Sequence, residues 1–227
     1  MAEIETMNEI AVMNADPDLD TMRRQLAAEL PGHAAFDGWT PAALELAASA
    51  TGIAPAIARL AFPDGAIDMI DAWFAHVDRA MLERLPPATL AAMKVRARIT
   101  ALVEARIDIV AYDIEALRRA LAVLALPTNL ARALRLDWRA ADTMWRAAGD
   151  TATDLNHYSK RAILGSVYAA TILALLGDDS EGHVETRAFL GRRIDGIMRF
   201  EKFKSRVGKT ERFDVARFIG RLRYPVQ

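Results

Sequence analysis

Residues 40–65 read TPAALELAASATGIAPAIARLAFPDG. Thr40-Pro41 is a helix start: a threonine cap, then a proline at the first helical position, where a missing N–H costs nothing. Helix formers follow as far as Thr51-Gly52, and a glycine suits the left-handed position that closes a helix. Pro55 opens a short third helix that runs to Phe62 and stops at Pro63-Asp64-Gly65. A first helix, about Asp18 to Leu30 and ended by Pro31-Gly32, comes before this pair, and a fourth reaches Leu85 after it. Two short helices joined at a glycine, in that setting, form a helix-turn-helix layout.

The same punctuation divides the rest. Two long helices fill Ala88 to Leu124, with a break near Tyr112-Asp113. Pro127 starts a turn and a short helix. Asp137–Ala148 and Thr153–Leu176 form a helix pair, Ser180 to about Phe200 is the next helix, and Glu211 to Tyr224 is the last. Period-2 alternation is absent and Ala, Leu, Arg, Glu and Met dominate, so the fold class is all-α. Residues 1–17 are expected to be disordered, and no internal repeat is present.

Apolar residues make up 52% of the 227, enough for a large core. The net charge of −1 is unevenly spread. From Arg199 to Gln227 there are nine Lys or Arg against three Asp or Glu, a net of +6, which leaves −7 for the remainder. A basic tail on an acidic body is the reading. With no cysteine, disulfides and thiolate metal sites are excluded. The four histidines, His33, His76, His157 and His183, have no partner at metal-ligand spacing. Gly208-Lys209-Thr210 imitates a phosphate loop, but Phe203 stands where the motif needs glycine. Gly165-Ser166 lacks the strand and flanking glycines of a nucleophile elbow. No enzymatic activity, cofactor or metal is expected.

The densest chemistry lies in 144–164, MWRAAGDTATDLNHYSKRAIL. Gly149 suits a helix end, and Asp150 or Thr151 can cap the helix that follows. On that helix Asp154, His157, Tyr158 and Arg161 follow the i, i+3, i+4, i+7 rule and share one face. Such a face is either a solvated surface with a few ion pairs or a docking patch.

This stretch resembles the signature of the ninth Coq accessory protein family of ubiquinone biosynthesis. The family pattern is met at Met144, Trp145, Ala148, Gly149, Asp150, Thr153, Asp154, Asn156, Tyr158, Arg161, Ala162 and Leu164. The likeness continues through Tyr168, and backwards through Leu126-Pro127 and Asn129 to Gly38-Trp39-Thr40. It covers about residues 30–200. One departure is His157, where eukaryotic members carry tryptophan. The resemblance implies a TetR-like helical fold with a vestigial N-terminal helix-turn-helix, a larger ligand-binding body, and a homodimer. It also implies a non-catalytic protein that holds an isoprenoid lipid or quinone and presents it to the demethoxyubiquinone hydroxylase. The implied docking residues are Met144, Trp145, Asp150, Asp154, Asn156, His157, Tyr158 and Arg161, with Leu164 and Tyr168 as lipid-pocket walls.

The alternative is a TetR-type ligand-responsive transcriptional regulator. Its recognition helix would be Pro55–Ala61, which offers one base, Arg59, amid Asp37, Glu45 and Asp64. Phosphate neutralisation supplies most nonspecific DNA affinity, so no nucleic-acid partner is expected. The run Ala162–Leu176 is apolar on every face, which fits either a filled core or the lining of a lipid cavity. In the tail, Val215, Phe218, Ile219 and Leu222 form an apolar stripe, with Arg212, Arg217, Arg221 and Arg223 around it. That is the pattern of an interfacial helix on anionic lipid, or of a helix docked on the acidic body.

The division expected is a disordered 1–17, a helix-turn-helix-like 18–65, a lipid-binding and dimerisation body 66–200, and an amphipathic basic tail 201–227. The acidic N-terminus (Glu3, Glu5, Glu9, Asp16, Asp18 and Asp20 before Arg23) is unlike a secretory signal or a mitochondrial presequence. The expected location is therefore cytoplasmic, peripheral on the inner face of a bacterial cytoplasmic membrane.

Overall fold

The structure is a computed structural model that describes residues 18–151, 153 and 155–207, the side chains of 155, 156 and 198–207 excepted. The described residues are helical, without strands. The helices are α1 (Leu19–Asp37), α2 (Pro41–Thr51), α3 (Pro55–Ala61), α4 (Ala66–Arg84), α5 (Pro87–Ala91), α6 (Val95–Tyr112), α7 (Ile114–Leu124), α8 (Leu130–Ala147), α9 (Leu155–Leu175) and α10 (Val184–Val207). Short 3-10 turns at Pro127–Asn129 and Glu181–His183 lead into α8 and α10. The chain forms two compact units, Met1–Gly177 and Asp178–Gln227. The expected last helix, Glu211–Tyr224, lies outside the described residues, as does the N-terminal 1–17.

In the first unit α1 packs on α2, α3, α4 and α7, while α4 packs on α6 and α8 and α8 packs on α9. Leu26, Leu30, Met69, Ile70, Trp73, Met81, Leu102, Ile107 and Leu117 are fully buried between them. The helix-turn-helix punctuation is as expected. Thr40 caps α2 by accepting from Ala43 N, Gly52 closes it at φ +71°, and Ile53 N returns to Ala48 O at 2.9 Å. This six-to-one bond is a Schellman end.

Several boundaries differ from expectation, α10 among them, which runs Val184–Val207 rather than Ser180 to about Phe200. α1 does not stop at Pro31-Gly32; it carries Pro31 inside and ends at Gly38, φ +72°. Pro31 denies Ala27 O its hydrogen bond, but Leu26, Ala27, Leu30, Pro31 and Ala34 are buried along one side and hold the helix together. Beyond Gly38, Trp39 turns inward, where its indole N–H donates to Ala116 O (3.1 Å) and its ring lies 5.3 Å from Trp73. The long helices over Ala88–Leu124 break at Tyr112-Asp113 as expected, and also at Ala92–Lys94. α8 starts at Leu130 rather than Asp137, because the 3-10 turn after Pro127 feeds straight into it.

α8 is locked to α4 by a ladder of ion pairs. Arg132 reaches Asp64 (2.5 Å) and Asp68 (2.9 Å). Arg139, seven residues on, reaches Asp71 and Asp78. In the second unit Asp178 accepts from Ser180 and from the backbone and hydroxyl of Thr186 (2.8 and 2.6 Å). These donors, Ser180 first, hold its carboxyl well below the usual carboxylate range.

Candidate functional site: the joint between α8 and α9

α8 ends where Ala148 N bonds Met144 O and Asp150 N bonds Trp145 O (3.0 Å), with Gly149 at φ +90°. Arg98 of α6 braces this turn. Its Nη1 donates to Ala148 O (2.8 Å), while Nε and Nη2 hold Met93 O and Ala91 O. A Cβ on Gly149 would come 3.2 Å from Arg98 Nη1, so both the backbone angle and the space call for glycine.

Asp150 or Thr151 was expected to cap the next helix, but α9 spans Leu155–Leu175. Its carboxylate instead accepts from Lys160 Nζ (2.6 Å) and Arg161 Nη1 (2.9 Å). Burial alone would raise the Asp150 pKa; the Lys160 and Arg161 bonds outweigh it and hold the group below its ordinary value. Arg161 also donates to Asp142 (2.7 Å) and to His157 O (3.1 Å), and its side chain is only 1% exposed. Trp145 donates its indole N–H to Lys160 O (3.0 Å), and Lys160 Nζ lies 5.3 Å over the Trp145 ring.

The signature therefore divides into an inner and an outer part. Met144, Asp150 and Arg161 are inside, where they weld α8 to α9. This corrects the expectation of one exposed face running through Arg161: its two acid partners, on α8 and in the turn, draw it inward. Trp145 is half-buried across the joint, and Tyr158 is 60% exposed. Its ring lies 5.1 Å from His157 and 6.0 Å from Trp138. Asp154 and the side chain of Asn156 lie outside the described residues.

Sequence reasoning missed Trp138, Leu134 and Leu130. They stand at i, i+4, i+8 on α8 and carry the exposed apolar surface away from Tyr158, with Leu134 64% exposed. The i, i+4 spacing was there to be read, but the expected helix began too late to include it. Arg98 and Asp142 were missed as well.

The two residues named as pocket walls, Leu164 and Tyr168, are buried on α9. Arg106 of α6 lies with its guanidinium carbon 4.9 Å over the Tyr168 ring. An open pocket of about 340 Å³ is found elsewhere, lined by Asp71, Arg132, Arg135, Leu136 and Arg139. Among the described residues no group of three or more His, Asp or Glu could hold a metal ion. On α3, Arg59 is paired with Glu45 (2.5 Å), and Leu60 is 69% exposed. No single helix among the described residues is long and apolar enough to cross a membrane, although the bent pair α2–α3 passes on length and composition. The membrane-binding residues Arg212, Val215, Arg217, Phe218, Ile219, Arg221 and Leu222 lie outside the described residues.

Residues 130–201 match the COQ9 family. The chain is 31% identical over 167 residues to a rat protein named "Ubiquinone biosynthesis protein COQ9, mitochondrial", covering 71% of this chain and 54% of that one. The human protein of the same name is 31% identical over 74% of this chain and 54% of its own. A fruit-fly relative, also so named, is 26% identical over 86% of this chain and 61% of its own. The chain spans about half the length of the rat and human relatives. A TetR transcriptional regulator from Nitrosomonas europaea has the same fold, with TM-score 0.61 and 23% identity over 77% of this chain and 96% of that one. The relatives are named as mitochondrial, and this overturns the expected bacterial cytoplasmic-membrane location. That expectation rested on acidic charge over residues 3–20, and such charge is no reliable guide to the address of a protein.

Proposed function

The chain is a relative of the COQ9 proteins, and from that premise we propose that it is a non-catalytic accessory protein of ubiquinone biosynthesis. It binds an isoprenoid quinone precursor and presents it to the demethoxyubiquinone hydroxylase. The relatives are named for a biosynthetic route rather than for a reaction, which favours an accessory role. A prenyl tail gains about 0.8 kcal/mol per CH₂ from lipid, so handing its ring to an enzyme calls for a competing apolar site.

The observation that carries the docking half is the outward cluster Trp138, His157 and Tyr158, seated on a joint whose charges are satisfied inside. Aromatic side chains on a rigid base are the composition of interface anchors. Tyr158→Ala is expected to weaken co-purification with the hydroxylase at least tenfold. Its melting temperature should stay near that of the wild type, because an exposed side chain contributes little to stability. Undiminished co-purification would remove the docking claim.

A homodimer is supported by α9, which has no charged residue after Arg161 yet exposes Ala162, Ser166, Ala169 and Leu173 along one side. Contact with a lipid surface is supported by the composition of 212–222. The regulator reading is disfavoured, since the one base on α3 is already neutralised by Glu45.

A further inference from the structure

The open pocket of about 340 Å³ on α4 and α8 shares no residue with the docking cluster or with the walls named on α9. Arg132, Arg135 and Arg139 line it at i, i+3 and i+7 on α8, beside Asp71 of α4, and Leu136 adds an apolar patch. Two of the three arginines are held by the ladder: Arg132 by Asp64 and Asp68, Arg139 by Asp71 and Asp78. Arg135 is exposed and has no acid partner among the described residues. Its Nε donates to Ala131 O, one turn back (3.3 Å), and no described acceptor meets its two Nη groups. Arg132 Nε is also without an acceptor among the described residues. On the acidic side, Asp71 gives Oδ1 to Arg139, while its Oδ2 accepts from no described donor.

Charge decides which ligand suits this pocket. Counting Arg106, which shares Asp78, four guanidiniums meet the four carboxylates of Asp64, Asp68, Asp71 and Asp78, so the neighbourhood is neutral as a whole. A dianion would meet those carboxylates at close range. A ligand that is itself neutral but carries both signs matches the two open ends, an anion for Arg135 and a cation or hydrogen-bond donor for Asp71. A guanidinium fork suits the oxygens of a phosphate. Phosphate is tetrahedral, so one oxygen can face the Arg135 fork while another faces Arg132. We propose that this pocket binds a zwitterionic phosphodiester, its phosphate on Arg135 and Arg132 and its ammonium on Asp71. That chemistry is shared by free glycerophosphoethanolamine and by the phosphatidylethanolamine headgroup. The inference is independent of the carrier reading, which uses none of these residues.

The test uses the full chain as wild type, Arg135→Gln and Arg146→Gln; Arg146 is an exposed arginine of the same helix outside the pocket. The soluble probes are glycerophosphoethanolamine, which carries both charges, and glycerol phosphate, which lacks the ammonium. Binding is read by titration calorimetry at low salt and folding by thermal melting. Arg135 is exposed and bonds only its own helix, so its variant should melt with the wild type. The lipid source is read by flotation with phosphatidylcholine vesicles, with and without phosphatidylethanolamine. The expected result is saturable binding of glycerophosphoethanolamine, tighter than that of glycerol phosphate. Arg135→Gln should weaken it about tenfold, the loss of one charged hydrogen bond, with Arg146→Gln unchanged. Flotation that needs both Arg135 and phosphatidylethanolamine would equally support the site and assign it to a lipid headgroup. Equal weakening by the two variants overturns the site, by assigning binding to general surface charge. Tighter binding of glycerol phosphate overturns the zwitterionic ligand. If neither the free diester nor the vesicles bind in a way that depends on Arg135, the proposal fails.

Discussion

Arg161 shows what a single buried charge does here. It ties Asp142 on α8 to Asp150 in the turn from α9, almost wholly out of solvent. Without Arg161, Asp150 keeps Lys160 and Asp142 keeps Arg146, so the cost is that of the charged hydrogen bonds lost, about 1.5–3 kcal/mol. Arg161→Ala is therefore expected to lose that much in chemical denaturation; a variant as stable as the wild type would refute this. Asp137 has the opposite sign. Its folded-state pKa lies above the ordinary 3.8 because burial disfavours the carboxylate. Below that value both folded and unfolded chains hold the proton and nothing is lost. As pH rises through it, the unfolded chain ionises first and stability falls until the folded pKa is passed. Asp137→Asn is expected to be more stable than the wild type at pH 7, with the gain vanishing below about pH 4; a gain independent of pH would refute the assignment. The sequence placed both residues on helices and could not say which side was inside. The i, i+3, i+4 rule groups residues on a face, whereas Arg161 is drawn inward by acids 11 and 19 positions upstream.

At the scale of elements, the stops built on glycine were the most legible. Gly52 and Gly149 close their helices at positive φ, as their neighbours in sequence imply. Pro31 was misleading because a proline is a local cost, and the buried row Leu26, Leu30, Ala34 outweighs it. The start of α8 was missed because the short helix after Pro127 was read as separate; the turn runs straight into α8, whose Arg132 and Arg139 meet acids 64 and 68 residues upstream on α4. Gly149→Ala puts a side chain at φ +90° and crowds Arg98. Left-handed backbone costs a non-glycine residue about 1–2 kcal/mol. A loss of that size in denaturant melts is expected, with Trp145 fluorescence altered at the joint. A neutral substitution would mean the turn has another conformation open to it.

For the molecule as a whole, charge distribution decides between partners. The helix-turn-helix keeps its layout but shows Leu60, and a paired Arg59, where a DNA reader needs free donors. Basic charge is concentrated instead in 199–227. The full chain is expected to float with vesicles rich in anionic lipid and to be released by raised salt, since surface charge is screened. A chain ending at residue 207 should stay behind, and equal flotation of the two would place the lipid contact elsewhere. The all-helical, TetR-like architecture was legible because helix punctuation is local. The α4–α8 ladder and the buried Arg106 were not, because each depends on partners brought together only by folding.

That ladder makes α8 a clamped rod. It is 18 residues long, about 27 Å at the helical rise. It is bolted to α4 through Arg132 and Arg139, and its C-terminal end carries the joint, welded to α9 and braced by Arg98. A partner that grips Trp138 and Tyr158 therefore takes hold of more than a surface. The same helix, through Arg132, holds Asp64 in the turn that leaves α3, so the aromatic cluster and the edge of the helix-turn-helix rest on one rod.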